Sequence, residues 1–177
     1  NHFETKINTF LSQLLIEKTI ESSYKSSISN IWNDRVAKHQ EYTAKIPFSD
    51  FKVFDFICQN VPKNSQLQVS NSSAIRYLQL FDLDKSIQVF CNRGTSGIDG
   101  STSTAIGAAL ATNLPTILIT GDISFLYDSN ALWNNYIPKN FKIILLNNSG
   151  GGIFRILPGH QETETFNTYF ETSHQLN

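Results

Sequence analysis

The hydrophobic pattern changes its period part-way along the chain. Near the N-terminus, Ile7, Phe10, Leu11, Leu14 and Leu15 recur three and four residues apart and predict a helix over residues 3–20. The Ser-rich stretch 21–30 interrupts that pattern and reads as a loop or linker. A charged, amphipathic segment over 31–46 predicts a second helix, stopped by Pro47. Ser49 and Asp50 can cap a third, with Phe51, Phe54 and Ile57 on its apolar face and Val61-Pro62 at its end.

From Leu67 the apolar runs shorten to strand length. Residues 67–70, 87–92, 115–120 and 141–146 are predicted strands, each ending in polar or glycine-rich chain. Residues 74–81, 104–112 and 125–136 are predicted helices. Asn71, Ser72 and Ser73 are available to cap the first of these, and residues 101–104 the second. Strands alternating with helices predict an α/β fold, a doubly wound, mostly parallel sheet with helices on both faces. No closing strand follows "GGIFRILPGH", so the domain is expected to be truncated at its C-terminus, a piece of a longer protein.

In such sheets ligands bind beyond the carboxyl ends of the strands. Those ends are Ser70-Asn71, Cys91-Asn92-Arg93, Gly121-Asp122 and Asn147-Asn148. Composition narrows the ligand. With 14 basic and 15 acidic residues the chain has a net charge of −1, and no basic stripe invites nucleic acid. No apolar run has the length of a membrane span, and the N-terminus lacks a signal-peptide pattern. Cys58 and Cys91 have neither CxxC nor zinc spacing and read as free thiols of a reducing cytoplasm. His2, His39, His160 and His174 stand apart in sequence and are expected to be structural or exposed.

Asp122 at a strand tip is a hard oxygen ligand suited to Mg2+. Asn148 can add an amide oxygen, and the loop "SGGG" backbone groups facing a cation or an anion. One Gly-Asp is most often a turn. Two such endings, a helix apart, turn the balance towards a site.

Gly121-Asp122, followed by residues 123–146 and Asn147-Asn148, resembles the diphosphate-binding signature of thiamine-diphosphate-dependent enzymes. It departs slightly, with Ile123 where many members have Gly. The resemblance implies thiamine diphosphate with Mg2+ (or Mn2+) held by Asp122, Asn148 and the Gly150 carbonyl. It implies cofactor contacts from Ile98, Gly121, Asp122, Ile123, Ser124, Asn148, Gly150 and Gly151, with Ile98 propping the cofactor into a bent shape. "NRGTSGIDG" (92–100), "GDISFLYDSNAL" (121–132), "NNSGGGIF" (147–154) and "NSSAIR" (71–76) are similar to one branch, the menaquinone-pathway MenD synthases. That similarity covers residues 67–158.

The branch implies a transferase that decarboxylates 2-oxoglutarate and adds the succinyl carbanion to isochorismate. Substrate contacts would come from Asn71, Ser72, Arg76 and Arg93, with Ile153 and Phe154 as an apolar wall. The activating Glu of the family lies in a separate N-terminal pyrimidine-binding domain of a second subunit. No catalytic residue is therefore expected in this chain, which alone should be inactive, and the full-length enzyme is expected to be a cytoplasmic homodimer or homotetramer. Residues 1–30 would close a preceding domain and supply a linker helix, and 31–177 would form the incomplete diphosphate domain. The alternatives are another thiamine-diphosphate 2-oxoacid decarboxylase or acetolactate-type synthase, a non-catalytic α/β nucleotide-binding module, or a structural assembly domain.

Overall fold

A computed structural model describes residues 23–159 and 163–176. The helix predicted over 3–20 lies outside the described residues. The chain divides into two compact units, Asn1–Lys45 and Ile46–Asn177.

The described part of the first unit is one helix, α1 (Ser23–Lys45). The Ser-rich stretch predicted as a loop is thus helical from Ser23 onward. The serines are accommodated because their hydroxyls bond back along the helix, Ser26 to the Ser23 carbonyl and Ser29 to the Lys25 carbonyl, both at 2.8 Å. A Glu41–Lys45 pair at 2.6 Å, acid before base one turn apart, supports the last turn.

The second unit opens with α2 (Asp50–Asn60), capped as the sequence predicts. Ser49 is extended and its Oγ accepts from the Lys52 N–H at 3.4 Å. There follow β1 (Gln66–Val69), α3 (Ser73–Leu78), β2 (Gln88–Cys91), α4 (Ser101–Leu110), β3 (Thr116–Gly121), α5 (Asp122–Tyr127) and β4 (Phe141–Leu146). The four strands are all parallel, in the order β2-β1-β3-β4. Central strands of a parallel sheet must be covered on both faces, and β1 is buried at every residue and β3 at all but its last. Side chains alternate between faces. Leu67, Val69, Ile117 and Ile119 pack with Phe54 and Ile57 of α2 and with Ala74, Ile75 and Leu78 of α3. Leu118 points to the opposite face, the side of β3 served by α4, whose Ala105, Ile106 and Ala109 are buried. The expected α/β class, with helices on both faces, is the observed one.

The winding reverses between β1 and β3, since the chain leaves β1 for one edge and crosses back beyond it. Their carboxyl ends therefore lie side by side. The Ser70 N–H donates to the Ile119 carbonyl at 2.9 Å and the Gly121 N–H to Ser70 Oγ at 3.4 Å. This is the switch point at which open α/β sheets form a crevice.

Three local expectations change. The helix predicted over 125–136 starts earlier, at Asp122, and ends at Tyr127. Asp128 ends it, because its carboxylate is drawn across to α4, where it accepts from the Ser103 N–H at 2.7 Å and the Ser103 hydroxyl at 2.9 Å. A 3-10 turn, Ser129–Leu132, takes over. The same contact explains why residues 101–104 do not cap α4 with their own side chains. Gly100, left-handed at φ 70, starts that helix, and Asp128 supplies the acceptor. Ser72 likewise makes no side-chain cap to α3. Its backbone is held at φ 69, ψ −133, and its carbonyl accepts from Arg76 Nη1 at 2.9 Å.

Beyond β4 the chain makes a 3-10 turn (Gly152–Arg155) and a π turn (Phe166–Phe170), then returns to the glycine loop. Phe170 joins these pieces, 5.9 Å from Phe154 and 6.4 Å from Phe166 between ring centres.

Candidate functional site

A cavity of about 630 Å3 opens at the carboxyl ends of the strands. Asn71, Ser72 and Arg76 reach it from β1 and α3, and Arg93 and Ile98 from the loop after β2. Gly121, Asp122, Ile123 and Ser124 come from the β3 tip, and Asn148, Gly150, Gly151, Ile153 and Phe154 from the loop after β4. Every site residue expected from the sequence lines this one cavity.

Asp122 is 4% exposed, and a buried carboxylate needs donors. Its Oδ1 accepts from the Ile123 N–H at 2.7 Å. Its Oδ2 accepts from the Gly150 N–H at 3.0 Å and meets His174 Nε2 at 3.0 Å. The tips of β3 and β4 are thereby tied together through one carboxylate. Ser124 fastens the next wall by donating its hydroxyl to the Ile98 carbonyl.

Asn71 is 2% exposed and fully engaged. Its Nδ2 donates to the carbonyls of Asn92 and Gly97, both at 2.6 Å. Its Oδ1 accepts from Arg93 Nη1 at 3.0 Å and from the Cys91 thiol at 3.3 Å. One side chain thus staples the glycine-rich loop 92–97 to the end of β1 and aims an exposed guanidinium along the rim. Burial pushes the Cys91 thiol above its ordinary pKa, partly opposed by the Arg93 charge.

Asn148 donates Nδ2 to Asp50 Oδ2 at 3.0 Å, which leaves its Oδ1 as an acceptor. The Gly150 carbonyl accepts from the Gly152 N–H at 3.0 Å and keeps a second lone pair. With Asp122 these are oxygen donors of three kinds converging on one cavity, a set that fits a hard divalent cation. Apart from its chain neighbours, a Cβ at Gly121 would meet nothing within 4 Å, so the space beside the β3 tip is open for a ligand. At Gly150 the reason for glycine is different, because a Cβ there would sit 2.9 Å from the Glu171 carbonyl.

The cavity also takes in Tyr127, Leu157, Tyr169, Phe170, Glu171 and Thr172, none of which the sequence marked. Asp50 and His174 were missed as well, because each meets its partner across a long stretch of chain with no spacing to signal it. Of the two roles expected for His174, structural or exposed, the structure excludes the exposed one, since its side chain is 13% exposed and lies on Asp122.

A family model described as "Thiamine pyrophosphate enzyme, C-terminal TPP binding domain" matches residues 71–177, well over half of the chain. This chain belongs to that family. The matched part of this thiamine pyrophosphate-binding domain starts at Asn71 and includes the tips of β2, β3 and β4. A protein of Flavobacterium johnsoniae named 2-succinyl-5-enolpyruvyl-6-hydroxy-3-cyclohexene-1-carboxylate synthase is 65% identical over 176 residues, 99% of this chain and 32% of that protein. The protein of the same name from Flavobacterium psychrophilum is 66% identical over the same shares. Another from Bacteroides fragilis is 45% identical over 131 residues, 74% of this chain and 24% of its own length. The chain thus spans about a third of the length of the two Flavobacterium relatives. No helix among the described residues is long and apolar enough to cross a membrane.

Proposed function

We propose that this chain is the diphosphate- and metal-binding part of a 2-succinyl-5-enolpyruvyl-6-hydroxy-3-cyclohexene-1-carboxylate synthase. The observation that carries the reading is the convergence of Asp122, Asn148 and Gly150, from two neighbouring strand tips, on one cavity. Identity of 65% to a synthase of that name along nearly the whole chain supports it.

Asp122, the Asn148 Oδ1 and the Gly150 carbonyl would hold Mg2+ or Mn2+. Gly121, Ile123, Ser124 and Gly151 would bring backbone close to the cofactor diphosphate, and Ile98 would support the cofactor from the side. Thiamine diphosphate supplies the electron sink for decarboxylating a 2-oxoacid and forming a carbon–carbon bond. The chain itself binds and orients. Arg76 and Arg93 lie exposed at the rim, where guanidinium groups suit the carboxylates of 2-oxoglutarate and isochorismate. Asn71 and Ser72 shape the substrate side, and Ile153 and Phe154 form an apolar wall that excludes water. The activating Glu would come from the N-terminal pyrimidine-binding domain of a second subunit, in a homodimer or homotetramer in the cytoplasm. The expected domain boundary at residue 30 falls inside α1, and we take the diphosphate domain to occupy the unit from Ile46, with α1 leading in from a preceding domain.

The test uses the full-length protein with thiamine diphosphate, Mg2+ and 2-oxoglutarate, following CO2 release and product by NMR with and without isochorismate. An adduct that requires isochorismate supports the reading. CO2 release with no isochorismate adduct would assign the chain to another 2-oxoacid enzyme.

A further inference from the structure

The proposed metal ligand Asp122 has a partner that neither the sequence pattern nor the family description assigns. The segment from Glu171 to Leu176 runs back over the loop after β4 and is stitched to it at several points. The Gly151 N–H donates to the Glu171 carbonyl at 2.5 Å, and the His174 N–H to the Ser149 carbonyl at 3.3 Å. Asn147 Nδ2 donates to the Leu176 carbonyl at 2.9 Å. Glu171, its side chain 5% exposed, is anchored by an ion pair with Arg155. Between these stitches the His174 ring reaches Asp122 Oδ2 at 3.0 Å.

The ring's tautomer follows from its other contact. The Leu176 N–H lies 3.1 Å from His174 Nδ1, and a backbone N–H can only donate. Nδ1 is therefore the acceptor, the neutral ring carries its proton on Nε2, and Nε2–H donates to Asp122. Each carboxylate oxygen offers about two acceptor directions. Oδ2 uses both, on the Gly150 N–H and on His174, while Oδ1 uses one on the Ile123 N–H. The lone pair left over is on Oδ1.

We propose that His174 is a positioning residue for the metal site, fixing the Asp122 carboxylate so that Oδ1 is the oxygen presented to the cation. Ligating carboxylates are commonly oriented by a hydrogen bond from a residue that does not itself touch the metal. The strap 171–176 then acts as a brace: it closes over the β4 loop and locks the ligand's orientation before the cation arrives. The inference rests on the metal-binding reading of Asp122 given above.

The experiment titrates Mn2+ into the full-length protein with thiamine diphosphate present and reads free Mn2+ by its electron paramagnetic resonance signal. Three variants are compared with wild type, namely His174→Ala, His174→Asn and His174→Gln. The Gln amide reaches the position of Nε2 and can donate to Asp122, whereas the Asn amide stops near Nδ1. The expected result is a roughly tenfold loss of Mn2+ affinity in Ala and Asn, with Gln within about twofold of wild type. Equal or tighter binding in His174→Ala would overturn the proposal and make His174 a bystander or a competitor. Equal losses in Ala and Gln would also overturn it, since a merely structural role would not be rescued by a donor alone. Melting of the metal-free proteins separates a folding defect from a metal effect, and His174→Asn carries the comparison if the Ala variant does not fold. Absence of Mn2+ binding in wild type would instead sink the metal-binding reading itself.

Discussion

At the scale of single residues, the site is held by side chains that do two jobs. Asn71, a substrate contact by resemblance, also holds the glycine-rich loop through its amide. Replacing it with Ala removes two short bonds to carbonyls and leaves Arg93 unanchored, for an expected cost of about 2 kcal/mol in urea unfolding. Faster hydrogen exchange at residues 92–97 should accompany that loss, and unchanged exchange would mean the loop is held by something else. Cys58 gives a pH signature. Burial first, and the Asp55 charge second, push its thiol from 9.0 to about 11. The unfolded chain releases that proton near pH 9 while the folded chain keeps it, so folded stability is full below pH 9 and falls between pH 9 and 11. Wild type should therefore lose more stability than Cys58→Ala across that window, as read by denaturant midpoints at each pH. Asp122 and Asn148 were legible because strand-tip acid and amide groups with glycine beside them form a local pattern. His174 and Asp50 were not, because their contacts span 52 and 98 residues of chain.

At the scale of elements, the strands were the most legible parts. The apolar run of β3 is buried on both faces, as a central parallel strand requires, whereas β1 alternates Leu67 and Val69 with the buried Gln66 and Gln68. Helix ends were less legible, because the deciding groups come from other elements. Asp128 is the clearest case. A helix pattern continues through it in sequence, yet its carboxylate leaves to satisfy the start of α4. Asp128→Ala should cost about 1 kcal/mol in thermal or chemical unfolding by removing that cap. Asp128→Asn, which keeps an acceptor oxygen, should lose less. If the two variants are equally destabilised, the carboxylate's charge and not its hydrogen bonds supports α4. The Ser-rich stretch ahead of Ile31 failed in the other direction, since local composition read as linker while back-bonded serines let α1 continue.

At the scale of the whole molecule, the chain gathers its proposed ligands in one cavity at the strand ends and leaves several large apolar side chains uncovered. Phe48, Trp133 and Phe56 are 89%, 83% and 67% exposed. The 177-residue chain alone should release no CO2 from 2-oxoglutarate with thiamine diphosphate and Mg2+ present, as checked by a coupled CO2 assay. Turnover by the isolated chain would show that its own residues suffice. The α/β class and the place of the crevice were readable because both follow from strand order and strand-end chemistry. The return of residues 171–176 across the glycine loop was not, because nothing local specifies where a polar segment lands.

The most direct test of the account is calorimetric binding of thiamine diphosphate to the full-length protein, with and without Mg2+, in wild type and in Asp122→Ala. The account predicts binding that requires Mg2+, is not displaced by ATP or NAD, and falls at least roughly tenfold in the variant. Binding that ignores Mg2+, or that survives loss of the Asp122 carboxylate unchanged, would contradict it.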